Sequence, residues 1–248
     1  ITPTIKNTLN LDKVIQVENS RLMKVMDSID LSRNLLEKEK SLIGFCGAPW
    51  TVLTYLINGT STRDFQDTIS WMHNNKTLAA ELLDLLTVLS IDYLSLQIEA
   101  GADVIKIFDT WSGVLEREDF LNWVVQPTKN IVSAIKNKHK AVPVIGFPKG
   151  AKDFYEVYID ETGVDIIALD HELNRDFCRD TLQKKAVLQG NVSPELLRTG
   201  GQQLEDEIFD TMEKFGKEPF IINLGHGIIK DTPITNVENF IKIIREYN

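Results

Sequence analysis

Cysteine is all but absent from this chain of 248 residues: Cys46 and Cys178 stand far apart, with no CxxC pair and no histidine spaced to complete a zinc site. That excludes a disulfide scaffold and a zinc-finger module, and a reducing cytoplasm is the expected compartment. Long apolar runs are also missing, so membrane insertion is not expected. Basic residues are outnumbered, 27 against 36 acidic, and the net charge of -9 disfavours non-specific association with nucleic acid or anionic lipid. An anionic small substrate stays compatible if positive groups are local. No GxGxxG, P-loop, HExxH or GxSxG pattern stands between a strand and a helix, which disfavours dinucleotide, nucleotide, zinc-protease and serine-hydrolase chemistry. No proline-rich or low-complexity linker divides the chain.

What is present is a globular composition, 43% hydrophobic and 25% charged. The length is close to the roughly 250 residues of a (β/α)8 TIM barrel. Short runs that are apolar almost throughout predict buried parallel strands at 42–46, 104–108, 142–147, 166–169, 186–189 and 220–224. Helical periodicity fills the intervals at 11–38, 76–100, 117–138, 151–161, 174–184, 202–215 and 236–247, most clearly where Leu78, Leu82, Leu85, Leu86, Leu89, Tyr93 and Leu96 recur on one face before Gly101. The stretch from Glu99-Ala100-Gly101 to Ile107 is echoed from Glu161-Thr162-Gly163 to Leu169, a helix end, a glycine and a strand. Strand and helix alternate, and the expected fold is α/β, a single barrel domain over residues 1–248. About six βα units are recognisable where a closed barrel needs eight, and the first 40 or so residues offer no good strand. The expectation is an N-terminally incomplete barrel lacking its first one or two units. The opening Ile1-Thr2-Pro3-Thr4 has neither the basic nor the apolar region of a signal peptide. Residues 59–75 read as a polar insertion of the length that often serves as a lid.

Functional residues of such barrels stand at the C-terminal ends of the strands. After the first run come Gly47-Ala48-Pro49-Trp50-Thr51, where Pro49 suits a helix start and Tyr55 falls within the next two turns, facing either the mouth or the core. The second run ends in Phe108-Asp109-Thr110-Trp111-Ser112-Gly113, where Thr110 and Ser112 are candidates to donate to a substrate carboxylate or to cap a helix. Later strand ends supply Lys149, Asp170 with His171, and Asn191, followed by Ser193-Pro194 as a helix start. The last run closes in Asn223-Leu224-Gly225-His226-Gly227, where the flanking glycines let a ligand approach the imidazole. His73 and His139 read as solvated surface residues, and the basic run 136–140 as a helix end.

Taken together, Gly44-Phe45-Cys46-Gly47-Ala48-Pro49-Trp50-Thr51 with Tyr55, Phe108-Asp109-Thr110-Trp111, Leu188-Gln189-Gly190-Asn191 and Asn223-Leu224-Gly225-His226-Gly227 closely resemble the uroporphyrinogen decarboxylase family. The resemblance runs in order from about Leu42 to the C-terminus. It implies a barrel enzyme, a carboxy-lyase of haem biosynthesis, that takes the four acetate carboxyls from uroporphyrinogen and leaves coproporphyrinogen. It implies no cofactor, no metal and a cytoplasmic homodimer. By motif, Tyr55 is the implied catalytic residue, and Tyr55, Thr110 and His226 the implied substrate contacts. Thr110 stands where some relatives carry serine, and it keeps the hydroxyl.

Two other readings compete with this one. A barrel methyltransferase of the corrinoid or coenzyme M type would bind zinc through histidine and cysteine at strand ends, yet neither cysteine falls where that site needs it. A catalytically silent barrel that binds tetrapyrroles would not need Tyr55, Thr110 and His226 together. The family's arginine-rich first loop and the aspartate that binds pyrrole N–H groups do not occur in this sequence. The resemblance therefore implies that residues 1–248 alone are inactive. Incubating that stretch with uroporphyrinogen under anaerobic conditions should give no coproporphyrinogen, and turnover would contradict the expectation.

Overall fold

A computed structural model describes residues 19–62 and 64–247, so residues 11–18 of the helix expected at 11–38 lie outside the described part. Contacts divide the chain into two compact units: one comprises residues up to Ala151 with Glu161–Gly163, the other Lys152–Asp160 with residues from Val164 onward.

In the first unit, helix α1 (Asn19–Leu35) precedes strand β1 (Ile43–Gly47), helices α2 (Pro49–Asn58), α3 (Gln66–Asn74) and α4 (Lys76–Glu99), and strand β2 (Val104–Asp109). Helices α5 (Arg117–Phe120) and α6 (Gln126–Lys138) follow, then β3 (Val144–Pro148). The three strands are parallel and in register, with Phe45 opposite Lys106 and Phe108 opposite Phe147. One face carries the aromatic row Phe45, Phe108 and Phe147 with ring centroids 5.7 and 6.0 Å apart. Cys46, Ile105, Ile107 and Val144 are buried in the packing of these strands. Gly101 ends α4 at φ +109°, a conformation that only glycine adopts cheaply, and it leaves room for the Arg33 side chain against its Cα. Arg33 then binds Asp103 at 2.7 Å, and the same carboxylate accepts the Leu42 N–H at 2.7 Å. The starts of β1 and β2 are thereby fixed to the end of α1.

The insertion at 59–75 is less lid-like than its polarity suggests. Its second half is helix α3, whose entry Phe65 and internal Thr68 and Met72 are buried. Polar composition hid this because only one residue per turn faces inward. The expected helix at 117–138 runs through but is locally widened. A π-helical turn at Leu121–Val125 precedes Pro127, which has no N–H and whose ring crowds the carbonyl of residue 123.

In the second unit, helix α7 (Tyr155–Thr162) leads to β4 (Ile166–Ala168), followed by α8 (Arg175–Phe177), β5 (Val187–Val192), α9 (Pro194–Thr199), α10 (Gln202–Phe215), β6 (Phe220–Leu224) and α11 (Ile234–Glu246). Helix α7 begins with a 3-10 turn at Lys152–Phe154, and α8 continues as a π-turn at Cys178–Leu182. Strands β4, β5 and β6 are parallel neighbours. A core of Val192, Leu197, Leu204 and Ile208 sits beneath α10 and α11, with Ile222, Leu224, Phe240 and Ile244 against it. Strand β5 runs three residues past its expected end. Asn191 continues it because its amide is buried and bonded, so the polar residue that seemed to stop the run is satisfied within the fold.

Both units therefore repeat parallel βα modules, six of the eight that a (β/α)8 barrel needs. Among the described residues, no helix is long and apolar enough to cross a membrane. Gln97 shows how closely α4 is fitted to the sheet: buried, it donates through Nε2 to the Phe45 carbonyl at 2.9 Å and accepts the Phe45 N–H at 2.9 Å. Gln97→Leu keeps the volume but orphans both backbone groups, and is expected to cost about 2–4 kcal/mol in urea unfolding. A loss below about 0.5 kcal/mol would show that the bonds do not hold β1 in place.

Candidate functional site

The strand ends of the first unit are built around one carboxyl. Asp109 ends β2 completely buried, and its Oδ1 accepts the Thr51 hydroxyl at 2.6 Å. Thr51 lies in the first turn of α2, so this bond fastens that helix to the end of the neighbouring strand. Two more bonds do the same: the Ala48 N–H donates to the Phe108 carbonyl at 2.8 Å, and Trp50 Nε1 donates to the Trp111 carbonyl at 3.0 Å. Pro49 at the first helical position fixes φ where no N–H is needed. Trp50 itself is buried and stacked on Trp123.

Tyr55 lies one turn beyond Thr51 on the same face of α2. It is half-buried, its ring set edge-on to Trp111 at 6.4 Å, and Phe65 backs Trp111 at 4.9 Å. Thr110 directly follows the buried Asp109 and is half-buried. Neither the Tyr55 nor the Thr110 hydroxyl forms a hydrogen bond among the described residues. The two hydroxyls thus belong to elements that the Thr51–Asp109 clasp holds together.

Ser112, the other hydroxyl weighed for this role, caps no helix and faces no ligand. Its buried Oγ donates to the carbonyls of Asp109 and Lys149, each at 3.0 Å, and so ties the ends of β2 and β3. Lys149 contributes through its backbone, which also donates to the Asp109 carbonyl.

Burial raises the Asp109 carboxyl to about 7, against a smaller lowering by the Thr51 bond, and its Oδ2 is enclosed with no partner among the described residues. On the same strand, burial lowers the Lys106 ammonium to about 8 as it lies 4.7 Å from the Phe108 ring centroid and 5.0 Å from that of Phe147. The Asp109 carboxyl is what sequence reasoning passed over in favour of its hydroxyl neighbours. A single aspartate closing an apolar strand was the available signal.

In the second unit, His226 is exposed at the end of β6, beside Gly225, whose N–H donates to the Val192 carbonyl at 2.8 Å. A side chain at Gly225 would collide with the backbone of His171, so the glycine serves a close approach of two loops. Asp170, two residues beyond β4, is buried, accepting from the Tyr155 hydroxyl at 3.0 Å and the Glu172 N–H at 3.1 Å. Asn191 is turned inward to the Asp170 and Leu173 carbonyls and is a strut, not a ligand contact. Ser193 caps α9 as expected, accepting the Leu196 N–H.

The remaining histidines lie elsewhere. His73 is exposed, with Nε2 2.9 Å from Asp119 and its ring against Trp123. His139 is half-buried with Nε2 enclosed, drawn in where α6 ends, and so is less solvated than its basic neighbours suggested. Burial pushes both the Cys46 and Cys178 thiols up to about 12, which leaves them inert as nucleophiles. Among the described residues no three histidine, cysteine, aspartate or glutamate side chains converge as a metal site.

Comparison with known proteins gives a consistent picture. The family profile described as Uroporphyrinogen decarboxylase (URO-D) matches residues 1–247. The uroporphyrinogen decarboxylase of Orientia tsutsugamushi (strain Ikeda) is 42% identical over 247 residues, 98% of this chain and 71% of that protein. That of Rhodospirillum rubrum is 42% identical over 225 residues, 91% of this chain and 65% of the relative. The chain thus spans about two thirds of the length of these relatives. A solved methyltransferase from Methanosarcina mazei superposes with a TM-score of 0.76 at 21% identity, covering 90% of this chain and 63% of its own, a likeness of fold alone.

The Asp109 geometry makes a stability prediction. Its folded-state value lies above the ordinary 3.8, so between about 4 and about 7 the folded chain holds a proton that the unfolded chain has lost, and this group lowers stability as pH rises. Asp109→Asn keeps the acceptor for Thr51 and removes the titration. Relative to wild type, the variant should gain about 2–3 kcal/mol between pH 5 and pH 8 in urea unfolding. A difference that stays constant with pH would refute the assignment.

Proposed function

The chain belongs to the uroporphyrinogen decarboxylase family, and we propose that it works as a uroporphyrinogen decarboxylase, converting the four acetate side chains of uroporphyrinogen to methyl groups. The observation that carries the reading is the family match over residues 1–247, supported by 42% identity to a protein of that name. The same reading includes a cytoplasmic homodimer, as the sequence resemblance implies.

The chemistry explains the groups at the strand ends. Loss of CO2 from a pyrrole acetate leaves an electron pair on the exocyclic carbon. Protonation of the ring first creates the acceptor for that pair, so the substrate serves as its own electron sink. The C–C bond to the carboxylate breaks, CO2 departs, the exocyclic carbon takes a proton to become methyl, and the ring loses the proton it gained. The protein needs donors that orient the reacting carboxylate and separate it from water.

Tyr55 and Thr110 supply such donors in this reading, with hydroxyls that the described residues leave unbonded. Tyr55 is the catalytic group of the two, as its family position implies. The exposed imidazole of His226 holds a further carboxylate. The Asp109 carboxyl, next to Thr110 in the chain, suits such a site because burial keeps it largely neutral below about pH 7, so it adds little repulsion to an anionic substrate.

The native gene product that carries residues 1–248 should convert uroporphyrinogen to coproporphyrinogen anaerobically, read by chromatography of the oxidised porphyrins. Tyr55→Phe should lower kcat by roughly 10- to 100-fold. Thr110→Ser should stay near wild type while Thr110→Ala falls about tenfold, and His226→Ala should act mainly on KM. Wild-type kinetics in both Tyr55→Phe and His226→Ala would overturn these roles, and failure of the native protein to decarboxylate would overturn the function.

A further inference from the structure

We propose that His171 is a second carboxylate-binding imidazole for the same substrate, held in the loop after β4 against the loop that carries His226. The proposal rests on the reading of the chain as a uroporphyrinogen decarboxylase.

The position of His171 is set by the residues around it. On one side, Asp170 is buried and anchored by the Tyr155 hydroxyl and the Glu172 N–H. The Asn191 amide then bonds the carbonyls of Asp170 at 3.0 Å and Leu173 at 3.3 Å, so the backbone is tied on both sides of His171 to the end of β5. Asn191 is itself held by the Arg175 guanidinium at 2.9 Å. Beyond His171, Gly225 approaches its backbone so closely that any side chain there would collide, and Gly225 is bonded in turn to Val192 at the end of β5. The loops that carry His171 and His226 are therefore two arms braced on one strand end.

The side chain of His171 is suited to a ligand. It is half-buried, and its Nδ1 is enclosed with no partner among the described residues. Its Nε2 is neither enclosed nor hydrogen-bonded among the described residues, so it is the nitrogen that a ligand carboxylate can reach. Arg175, the guanidinium that holds Asn191, cannot take that role, since it is also engaged by Glu207 and Asp210. Lys185 is likewise paired, with Glu156 and Asp160. A substrate bearing several acetate and propionate groups needs more donors than one histidine supplies, and the His171 loop packs against the loop of the first.

The test uses the native protein, with uroporphyrin as the binding probe read by fluorescence and uroporphyrinogen as the substrate. His171→Ala should raise both the Kd for uroporphyrin and KM about tenfold while kcat stays within about threefold. His171→Gln retains an amide donor and should recover much of the lost affinity, and both variants should unfold at the wild-type urea midpoint. Unchanged Kd and KM in His171→Ala would overturn the proposal. So would an affinity loss that tracks a lowered unfolding midpoint in both variants. A wild-type protein that neither binds uroporphyrin nor decarboxylates uroporphyrinogen would sink the functional reading and this proposal with it, whereas normal turnover with an indifferent His171 sinks the proposal alone.

Discussion

The hydrogen bond from Thr51 to the buried Asp109 is the constraint on which the first unit's candidate site depends. Parallel βα modules leave their strand ends joined only by the ladder, and a helix that begins just after one strand is free to tilt unless a side chain holds it to the next. Thr51 makes that connection from the first turn of α2, with the Trp50 indole and the Ala48 N–H in support. Tyr55 follows on the same helix face and Thr110 follows on the same strand end. The three bonds together set the elements that carry both hydroxyls. While the carboxyl is neutral the bond is worth about 0.5–1.5 kcal/mol, against a net stability of about 5–15 kcal/mol for an ordinary domain.

The second unit reaches the same end by different means. Its brace is the end of β5, where Asn191 ties down the loop after β4 and Val192 receives Gly225 from the loop after β6. Polar residues that belong to a site in sequence are here consumed by structure: Asn191, Arg175 and Asp170 all satisfy neighbours. The loops beyond the strands carry imidazoles, and the close approach permitted by Gly225 brings one of them, through its backbone, against the loop of the other. In both units, buried polar groups act as struts and half-buried or exposed ones stand where a ligand can meet them, which is the division that preorganised sites require.

Much of this was legible in the sequence because parallel strands covered on both faces leave short, continuous apolar runs. All six runs are strands, displaced by a residue or two at most ends, and glycine at 101 and 163 marks the left-handed turns before two of them. The motif residues Tyr55, Thr110 and His226 were visible through their neighbours in sequence. What was not legible depends on partners distant in the chain. Asn191 reads as a strand stop until its amide is seen to be bonded, and α3 reads as a polar loop until Phe65 and Met72 are seen to be buried. Asp109 and His171 lay inside motifs already noticed, yet their roles follow from burial and close packing, which residue types alone do not report.

The most direct test of the account is a crystal structure of the native protein with uroporphyrin bound. The account predicts substrate carboxylate oxygens at about 3 Å from the Tyr55 and Thr110 hydroxyls and a further carboxylate against His226. A tetrapyrrole seated elsewhere, for instance in the groove lined by His73, Asp119 and Trp123, with Tyr55, Thr110 and His226 untouched, would contradict it.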